Sequence, residues 1–309
     1  SSIWGAAVSW LDRQSFLGLD SDVTLDQVTI GIVGLGGGGS HVAQQLAHVG
    51  VGHFVVIDPE LIEDTNLNRL VGGTQADVEN AAPKVDVTRR LILGVRPAAK
   101  VESIRAQWQA ASNALKRCDI IVGGLDSVRA KDELDAFCHR FLIPYIDMGM
   151  DVFGDAGRHL IAGQVVLSSP GMPCLRCLHI VTDEMLAREA ANYGAAGGKP
   201  QVVWPNGVLA STAVGLVMQL LVPWHQSPLE GAYLVYDGNK GVVAPSHRYE
   251  HALEVDCPHY PPEERGEPQF DVRKLPFAVL ETKGNGAPIK HNFLKWVRDT
   301  VRSAFANRK

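Results

Sequence analysis

The sequence predicts an α/β fold: a doubly wound, mostly parallel sheet with an antiparallel extension. Two observations predict the parallel part of the sheet. Strand-like apolar runs alternate with helical patterns, and a glycine-rich turn joins the first strand to the first helix. A third predicts the antiparallel part, since His159 to Leu167 is the longest β-like run in the chain. The length of 309 residues, 46% of them apolar, suffices for one large domain with small additions.

The first β-α-β unit is the most regular stretch. An apolar strand pattern from Val28 to Val33 leads into a glycine turn, a helix and a second apolar run that ends at Asp58. Glycine permits the backbone angles of such a turn and the close approach of a phosphate, and the N–H groups that begin the helix bind the anion. The turn glycines are Gly34, Gly36, Gly37, Gly38 and Gly39. This unit predicts a nucleotide site.

The residues after the second strand favour one nucleotide. Asp58 lies 19 residues after Gly39, where an acid that holds a ribose is expected, and this fits NAD and ATP equally. Asn66, Asn68 and Arg69 then add two amides and a guanidinium. Such groups suit a triphosphate and have no evident use for a nicotinamide ring, so the sequence favours ATP.

The later elements continue the alternation. Asp126 follows the short buried strand 119–123, and ligands of open α/β sheets bind at that end of a strand. The character changes after Gly149, where the antiparallel part is expected to begin. The other predicted elements are helices at 82–94, 110–117, 128–140, 182–193 and 207–221, strands at 101–104 and 144–147, a loop at 171–177 and a crossover at 194–200.

Four motifs in order carry a family resemblance. They are the glycine turn, the Asp58-to-Arg69 segment, Lys84 in a Pro-Lys pair, and Asp126 in Gly-Leu-Asp-Ser. Together they resemble the Rossmann-like adenylation domain of ubiquitin-activating enzymes, including the bacterial sulfur-carrier adenylyltransferases of thiamine and molybdopterin biosynthesis and bacterial activating enzymes for ubiquitin-like proteins. The resemblance covers about residues 10–260. We divide the chain into an N-terminal helical segment (1–27), the adenylation domain (28–260) and a C-terminal extension (261–309).

The resemblance implies ATP-dependent adenylation of the C-terminal carboxylate of a ubiquitin-like or sulfur-carrier protein, with release of pyrophosphate. It implies that the turn glycines, with Asn66 and Asn68, contact the nucleotide and that Asp58 holds the ribose. Arg69 and Lys84 would neutralise the phosphates, and Asp126 would bind Mg²⁺. The reaction needs no general base, because a carboxylate is already ionised at pH 7.

The resemblance also implies a homodimer. An Arg-Gln pair near the N-terminus of family members reaches the ATP site of the partner subunit, and Arg13 with Gln14 stands at a comparable distance before the glycine turn. A solvated helix packed on its own domain is the alternative interpretation of this segment. The apolar, small-residue helix at 207–221 is expected in the core or in a dimer interface.

A zinc site is predicted from the cysteines. Cys174 and Cys177 form the first half of a zinc knuckle, and the family's second half is another Cys-x-x-Cys. This chain instead offers Cys257 and His259, which would complete a Cys₃His site for structural zinc, with an empty thiol site as the alternative.

A thioester step has less support than adenylation. Family members that carry a thioester have a cysteine just before the buried helix, and residues 201–206 contain none. Cys118 and Cys138 are predicted to face the core, unlike a reactive thiolate. The resemblance allows a conjugating-enzyme-like or sulfur-transfer protein as a further partner, and the sequence does not identify it.

Composition limits the remaining alternatives. The net charge of −5 argues against nucleic acid. The absence of a signal-peptide pattern and of a long apolar run predicts a cytoplasmic enzyme. Adenylation of a peptide or of a modified-tRNA carboxylate, a non-catalytic nucleotide-binding scaffold, and an NAD-dependent oxidoreductase remain as alternatives. In the extension, one amphipathic helix is expected to dock on its own domain or on a partner, with apolar positions Ile289, Phe293, Trp296, Val297, Val301 and Phe305.

Overall fold

The computed structural model describes residues 10–155, 157–191, 200–222, 224, 232–253, 256–261, 263 and 265–266. Within them the strands form one sheet in the order β3-β2-β1-β4-β5-β6-β7-β8. The strands are β1 Thr29–Val33, β2 His53–Ile57, β3 Lys100–Ile104, β4 Ile120–Gly123, β5 Tyr145–Asp155, β6 Arg158–Ser168, β7 Ala232–Asp237 and β8 Val242–Pro245.

Helices cover both faces of this sheet, and in the described part of the chain three short 3₁₀ helices precede or interrupt them. The α-helices are α1 Ser21–Gln27, α2 Gly37–Val49, α3 Gln75–Glu79, α4 Lys84–Val95, α5 Ser112–Leu115, α6 Val128–Phe141, α7 Asp183–Ala191, α8 Val203–Leu221 and α9 His247–Leu253. The 3₁₀ helices are Asp12–Leu17, Asp64–Asn66 and Trp108–Ala111.

The sheet has a parallel half and an antiparallel half, which confirms the predicted fold class. Strands β3, β2, β1, β4 and β5 pair in parallel, and β5 through β8 pair antiparallel. Since β1 lies between β2 and β4, the chain leaves β1 toward one side and later returns to its other side. A cleft forms at the carboxyl ends of strands where the order reverses in this way.

Two apolar layers hold the helices on the sheet. On one face Val42 and Leu46 of α2 pack in a buried cluster that includes Leu209 and Val217 of α8. On the other face Leu134 of α6 packs in a second cluster. Successive side chains of a strand point to opposite faces of a sheet, so Ile32 of β1 joins the first cluster and Val33 joins the second.

Helix α8 belongs to the core. By length and composition alone its 19 residues could cross a membrane, and half of its most apolar 18-residue stretch is buried inside the protein. It packs on α2, β5 and β6, and the absence of a side chain on Gly163 makes room for Leu209, since a Cβ there would lie 2.6 Å from Leu209 Cδ1. The structure therefore places one side of this helix in the core, and a dimer interface on its remaining surface stays a prediction.

Several predicted boundaries are wrong. Strand β5 does not end at residue 147: it runs to Asp155, because its whole length pairs with β6. The run from His159 to Leu167 is confirmed as the antiparallel strand β6. Helix α8 begins at Val203, ahead of the predicted 207, and accommodates Pro205 because N–H groups of a first turn have no partner within the helix. The predicted helix 110–117 is a 3₁₀ turn followed by the four-residue α5. The amphipathic pattern at 289–305 and most of the 194–200 crossover lie outside the described residues.

Candidate active site

A cavity of about 470 Å³ opens at the carboxyl ends of the central strands. Most of the residues predicted for the nucleotide and its metal line it: Gly34, Gly36, Gly37, Gly38, Asp58, Asn66, Arg69, Lys84 and Asp126. Among the described residues, Gly39, Asn68 and Arg13 do not line the cavity. The strand order thus brings together four sequence motifs that are well separated along the chain.

The glycine turn leaves room for a ligand at one position and packs tightly at others. A Cβ on Gly36 would meet nothing within 4 Å, whereas one on Gly39 would lie 1.9 Å from the Gly34 carbonyl oxygen. Gly34 has a φ of +85°, a conformation in which side chains are strained. Gly39 therefore allows α2 to pack against the turn, and Gly36 marks the open approach to the main chain.

Asp58 fixes the turn to the end of β2. Its Oδ2 accepts a hydrogen bond from Leu35 N at 2.7 Å, and its Oδ1 accepts one from Glu60 N at 2.8 Å. Burial raises the pKa of this carboxyl, and the two hydrogen bonds oppose the rise. Because each carboxylate oxygen can accept more than one bond, Asp58 can still accept from ribose hydroxyls.

Two cationic side chains face the cavity. Lys84 is the first residue of α4, is buried, and pairs with the exposed carboxylate of Glu60. Arg69 Nη1 donates to Thr65 O at 2.6 Å and to Asn68 Oδ1 at 3.0 Å. Contacts within the chain hold both side chains in position, which favours a site preorganised for phosphate.

The two asparagines have structural contacts. Buried Asn66 accepts a hydrogen bond from Glu63 N at 3.0 Å and so closes the 3₁₀ turn around itself, although it also lines the cavity. Asn68 Nδ2 donates to Gln201 O at 2.9 Å. Gln201 in turn donates from Nε2 to Asp126 Oδ1 at 3.1 Å and lines the cavity. Sequence reasoning missed Gln201, since no motif surrounds it.

A buried ion pair lies under the cavity floor. Lys131 Nζ of α6 donates to Asp147 Oδ2 at 2.8 Å and to Met148 O at 2.9 Å, and Tyr145 donates to Asp147 Oδ1 at 2.9 Å. Met148 and the adjacent Gly149 line the cavity. The sequence signal for this ion pair is a lysine within an amphipathic helix and an aspartate within a buried strand, which the motifs do not include.

The donor set fits an ATP–Mg²⁺ complex. The first N–H groups of α2, at Gly37 and Gly38, have no helical acceptor and lie at the positive end of a 13-residue helix. Asp126 is exposed and offers carboxylate oxygen, the ligand type that Mg²⁺ prefers. These residues could hold the triphosphate and its metal.

The N-terminal segment stands apart from this cavity. Arg13 is exposed on the 3₁₀ helix Asp12–Leu17. Gln14 Nε2 donates to Val49 O at 2.9 Å, which anchors that helix to its own domain. Large apolar side chains of the same segment are exposed as well, at Trp10, Phe16, Leu19 and Val23.

A second cluster has the composition of a metal centre. The ligand atoms of Cys174, Cys177, Cys257 and His259 all lie within 4.8 Å of one another. His259 Nδ1 lies 3.4 Å from Sγ of both Cys174 and Cys177, and those two sulfurs lie 3.6 Å apart. Tetrahedral bonds of about 2.0 Å to nitrogen and about 2.3 Å to sulfur place ligand atoms roughly 3.5–3.8 Å apart. The four residues therefore fit zinc.

A polar network ties the loop of this cluster to the sheet. Asp135 of α6 accepts from Leu175 N at 3.0 Å and from Ser168 Oγ at 2.6 Å. Burial raises the pKa of Asp135 to about 7. His139 lies 3.0 Å from Ser168 Oγ and stacks on Tyr260 with ring centroids 4.5 Å apart.

The two other cysteines are inert by position. Cys118 and Cys138 are both buried. Burial raises the pKa of the Cys118 thiol to about 12, and it also raises the pKa of Cys138. Neither thiol has the exposure or the low pKa of a nucleophile.

The fold and the cavity define an adenylation domain of the ubiquitin-activating type, as the sequence resemblance implied. Residues 11–258 match the ThiF family, and the chain belongs to that family.

Named relatives are adenylyltransferases and an activating enzyme. The chain is 29% identical over 209 residues to the SAMP-activating enzyme E1 of Haloferax volcanii, covering 67% of this chain and 71% of that protein. It is 26% identical over 222 residues to the molybdopterin-synthase adenylyltransferase of Escherichia coli, covering 71% and 82%. It spans only 47% of the adenylyltransferase and sulfurtransferase MOCS3 of Drosophila willistoni.

Solved structures share the fold. Escherichia coli MccB, crystallised with succinimide, aligns with a TM-score of 0.64 at 21% identity, covering 78% of this chain and 72% of MccB. PaaA aligns with a TM-score of 0.60 at 18% identity, covering 79% and 85%.

Proposed function

We propose that this chain adenylates the C-terminal carboxylate of a ubiquitin-like or sulfur-carrier protein with ATP and releases pyrophosphate. One observation carries the proposal: the glycine turn, Asp58, Arg69, Lys84 and Asp126 line a single cavity. The named activities of the relatives support the same reaction class. The proposal includes a cytoplasmic location.

The residues supply what the reaction requires. Both reactants are anions, so repulsion must be neutralised and the carboxylate held in line with the leaving pyrophosphate. The N–H groups of the turn bind phosphate oxygens and Asp58 binds the ribose. Lys84 and Arg69 offset the charge that builds on the leaving group. Mg²⁺ at Asp126, when bound, neutralises phosphate oxygens.

One experiment tests the assignment. We expect ATP–pyrophosphate exchange that requires a small protein with a free C-terminal carboxylate, and Asp126→Ala is expected to lower exchange at least 100-fold while thermal unfolding stays unchanged. Exchange by Asp126→Ala at the wild-type rate, or reduction of NAD by the wild type, would refute it. Exchange driven by a short peptide or a modified tRNA would instead select the alternative substrate classes, and no exchange with any carboxylate would indicate a scaffold.

The proposal includes a structural zinc ion at Cys174, Cys177, Cys257 and His259. The mutual distances of the ligand atoms support this. Elemental analysis should find about one zinc per chain, because a closed four-ligand site holds a structural metal. Metal-free protein in which the three thiols of Cys174, Cys177 and Cys257 are reduced and accessible would contradict the zinc site.

The proposal also includes a homodimer in which Arg13 reaches the partner's triphosphate. Its exposure, and the exposed apolar side chains beside it, support such a contact. Arg13→Ala and Asp126→Ala should each be inactive alone. Mixing them should restore activity, because one site of a mixed dimer is then intact. A mixture that stays inactive despite proven subunit exchange would exclude the shared site.

A further inference from the structure

The loop that carries Asp126 is anchored at its two ends. At the β4 end, Gly124 N donates a hydrogen bond to Val33 O at 2.8 Å, which joins the loop to β1. At the other end the loop continues directly into α6, which begins at Val128. The backbone position of Asp126 therefore depends on how firmly the first turn of α6 is held.

The first turn of α6 is held by Glu189, a residue of α7. Glu189 Oε1 accepts a hydrogen bond from Val128 N at 3.0 Å, and Glu189 Oε2 accepts one from Arg129 N at 2.8 Å. Ser127 Oγ accepts a third from Ala130 N at 3.1 Å. The first N–H groups of a helix have no acceptor within the helix itself. Here the first three are all bound, and two of them are bound by one carboxylate of another helix.

A carboxylate suits this position for two reasons. It offers one acceptor oxygen to each of the two N–H groups, whereas the amide of a glutamine has a single acceptor atom. Its negative charge also lies at the positive end of the dipole of a 14-residue helix. Because Glu189 is only partly exposed, water competes less for these bonds than at an open surface.

Other contacts hold α7 against α6. Arg176, between the first two cysteines of the zinc cluster, donates from Nε and Nη2 to the two oxygens of Asp132 of α6, each at 2.7 Å. Its Nη1 donates to Asp183 Oδ1, at the start of α7, at 2.9 Å. Leu186 of α7 packs against the apolar cluster that includes Leu134 of α6. The helix that carries the capping carboxylate is thus fixed to the helix that it caps.

We propose that Glu189 is a positioning residue for the metal ligand: by closing the first turn of α6, it holds the backbone of the loop that places Asp126 in the cavity. The inference rests on the proposed function, because it takes Asp126 as the ligand of Mg²⁺. Glu189 is not among the described residues that line the cavity, so it acts through α6 and does not touch the nucleotide. None of the four sequence motifs includes it.

Loss of this carboxylate should weaken the binding of Mg²⁺ and leave the other nucleotide contacts unchanged. Without it the first turn of α6 opens part of the time, and Asp126 is in place in only a fraction of the molecules. The apparent affinity for the metal falls in proportion to that fraction. Removal of a helix cap shifts such a local equilibrium by about two- to thirtyfold. We expect the half-saturating Mg²⁺ concentration to rise by less than the full shift, about two- to tenfold, because the capped turn is mostly closed.

The experiment titrates Mg²⁺ into the full chain in the presence of a fluorescent, non-hydrolysable ATP analogue at fixed concentration. Glu189→Ala should raise the half-saturating Mg²⁺ concentration about two- to tenfold, with an unchanged affinity for the analogue in the absence of Mg²⁺. The matched control is Glu184→Ala, since Glu184 is an exposed carboxylate of the same helix and makes no hydrogen bond or ion pair among the described residues. It removes one negative charge from α7 as well, and its Mg²⁺ dependence should equal that of the wild type.

Amide hydrogen exchange gives a second readout that does not depend on the metal. In Glu189→Ala the N–H groups of Val128 and Arg129 should exchange about two- to thirtyfold faster, whereas that of Leu134, in the middle of α6, should keep its wild-type rate. Glu189→Gln retains one acceptor oxygen. It should therefore lie between the wild type and Glu189→Ala in both amide exchange and Mg²⁺ dependence.

The outcomes separate this inference from the proposed function. Faster exchange with an unchanged Mg²⁺ dependence would show that Glu189 only caps a helix, and an equal rise in Glu184→Ala would show that charge alone accounts for the effect. Unchanged exchange, or weaker binding of the analogue without Mg²⁺, would also overturn the positioning role. In each of these cases the proposed function stands. If Asp126→Ala binds with unchanged Mg²⁺ dependence, Asp126 is not the metal ligand, and the inference falls with that part of the proposed function.

Discussion

Replacing Lys131 with methionine should destabilise the fold and loosen the cavity floor. Asp147 is fully buried, and the Lys131 side chain is 9% exposed. The substitution keeps most of the apolar stem but leaves Asp147 with the Tyr145 hydroxyl as its remaining side-chain partner among the described contacts. It also frees the Met148 carbonyl, which Lys131 now binds.

The expected size follows from this burial. Breaking a buried pair by removing one partner costs about 3–5 kcal/mol, because the remaining charge is left uncompensated. At roughly 2–4 °C per kcal/mol for a domain of this size, the unfolding temperature should fall by about 6–20 °C. An exposed pair gives the matched control. Arg117 and Glu102 are 60% and 47% exposed and lie 2.6 Å apart, so Arg117→Met should cost less than about 1 kcal/mol.

The loss should also depend on pH. Burial raises the pKa of Asp147, and Lys131 opposes that rise, so Lys131→Met raises the pKa further. An unfolded aspartate titrates near pH 3.9, so the folded variant retains a proton that the unfolded chain has lost above that pH. Its stability should therefore fall as pH rises from about 4 to the raised pKa, by at most about 1.4 kcal/mol per pH unit.

Urea unfolding at pH 5 and pH 8 measures both effects. The deficit of Lys131→Met relative to the wild type should be larger at pH 8, and adding Asp147→Asn to the variant should recover much of it, because the buried charge is then absent. The reasoning is refuted if Lys131→Met costs no more than Arg117→Met, or if its deficit is larger at pH 5.

Three further predictions concern the turn, the ribose acid and the metal centre. Gly39→Ala should destabilise the fold by about 1–3 kcal/mol or more and weaken nucleotide binding, because the added Cβ would lie 1.9 Å from the Gly34 carbonyl oxygen. Its control is Gly94→Ala in α4, where the space is open and the change should stabilise the fold by about 0.5–1 kcal/mol. Equal urea midpoints for the two variants would contradict the packing argument. Asp58→Asn should lower ATP affinity at least tenfold. It should also lower the free energy of unfolding by about 1–3 kcal/mol, because one of the two backbone N–H groups then faces an amide donor. Calorimetric titration measures the affinity, and an unchanged value would exclude the ribose contact. Cys174→Ser should lose zinc and lower the unfolding temperature because a structural metal contributes folding free energy, and a metal-free variant as stable as the wild type would rule out a structural role.

The parts of the fold that the sequence predicts correctly are those with strong local patterns. The alternation through β1, α2 and β2 is confirmed, since each element there has its own periodicity and a glycine turn marks the junction. Two strands, β7 and β8, were missed. Strands β7 and β8 have mixed and exposed burial patterns, and the pairing of β7 with β6 and of β8 with β7 supplies the regularity that their sequences lack.

The site residues, too, could be predicted from the sequence only where a strong local pattern marks their position. Asp58 and Asp126 could be placed because each follows a buried parallel strand, and the carboxyl ends of β2 and β4 flank the same turn. Gln201 could not be placed in this way. It contacts a residue 75 positions away and another 133 positions away, through single hydrogen bonds that leave no periodic trace in the sequence.

This division bears on which parts of the site change when a ligand binds. Groups at strand ends are held by the sheet itself. Asp58 accepts hydrogen bonds from two backbone N–H groups, and the glycine turn is packed so tightly that a Cβ on Gly39 would lie 1.9 Å from the Gly34 carbonyl oxygen. Among the described residues, Gln201 makes single hydrogen bonds to Asn68 and to Asp126, and it precedes α8 rather than ending a buried strand. Bonds of that kind cost little to break in water. We therefore expect a ligand in this cavity to shift Gln201 more readily than Asp58 or the glycine turn.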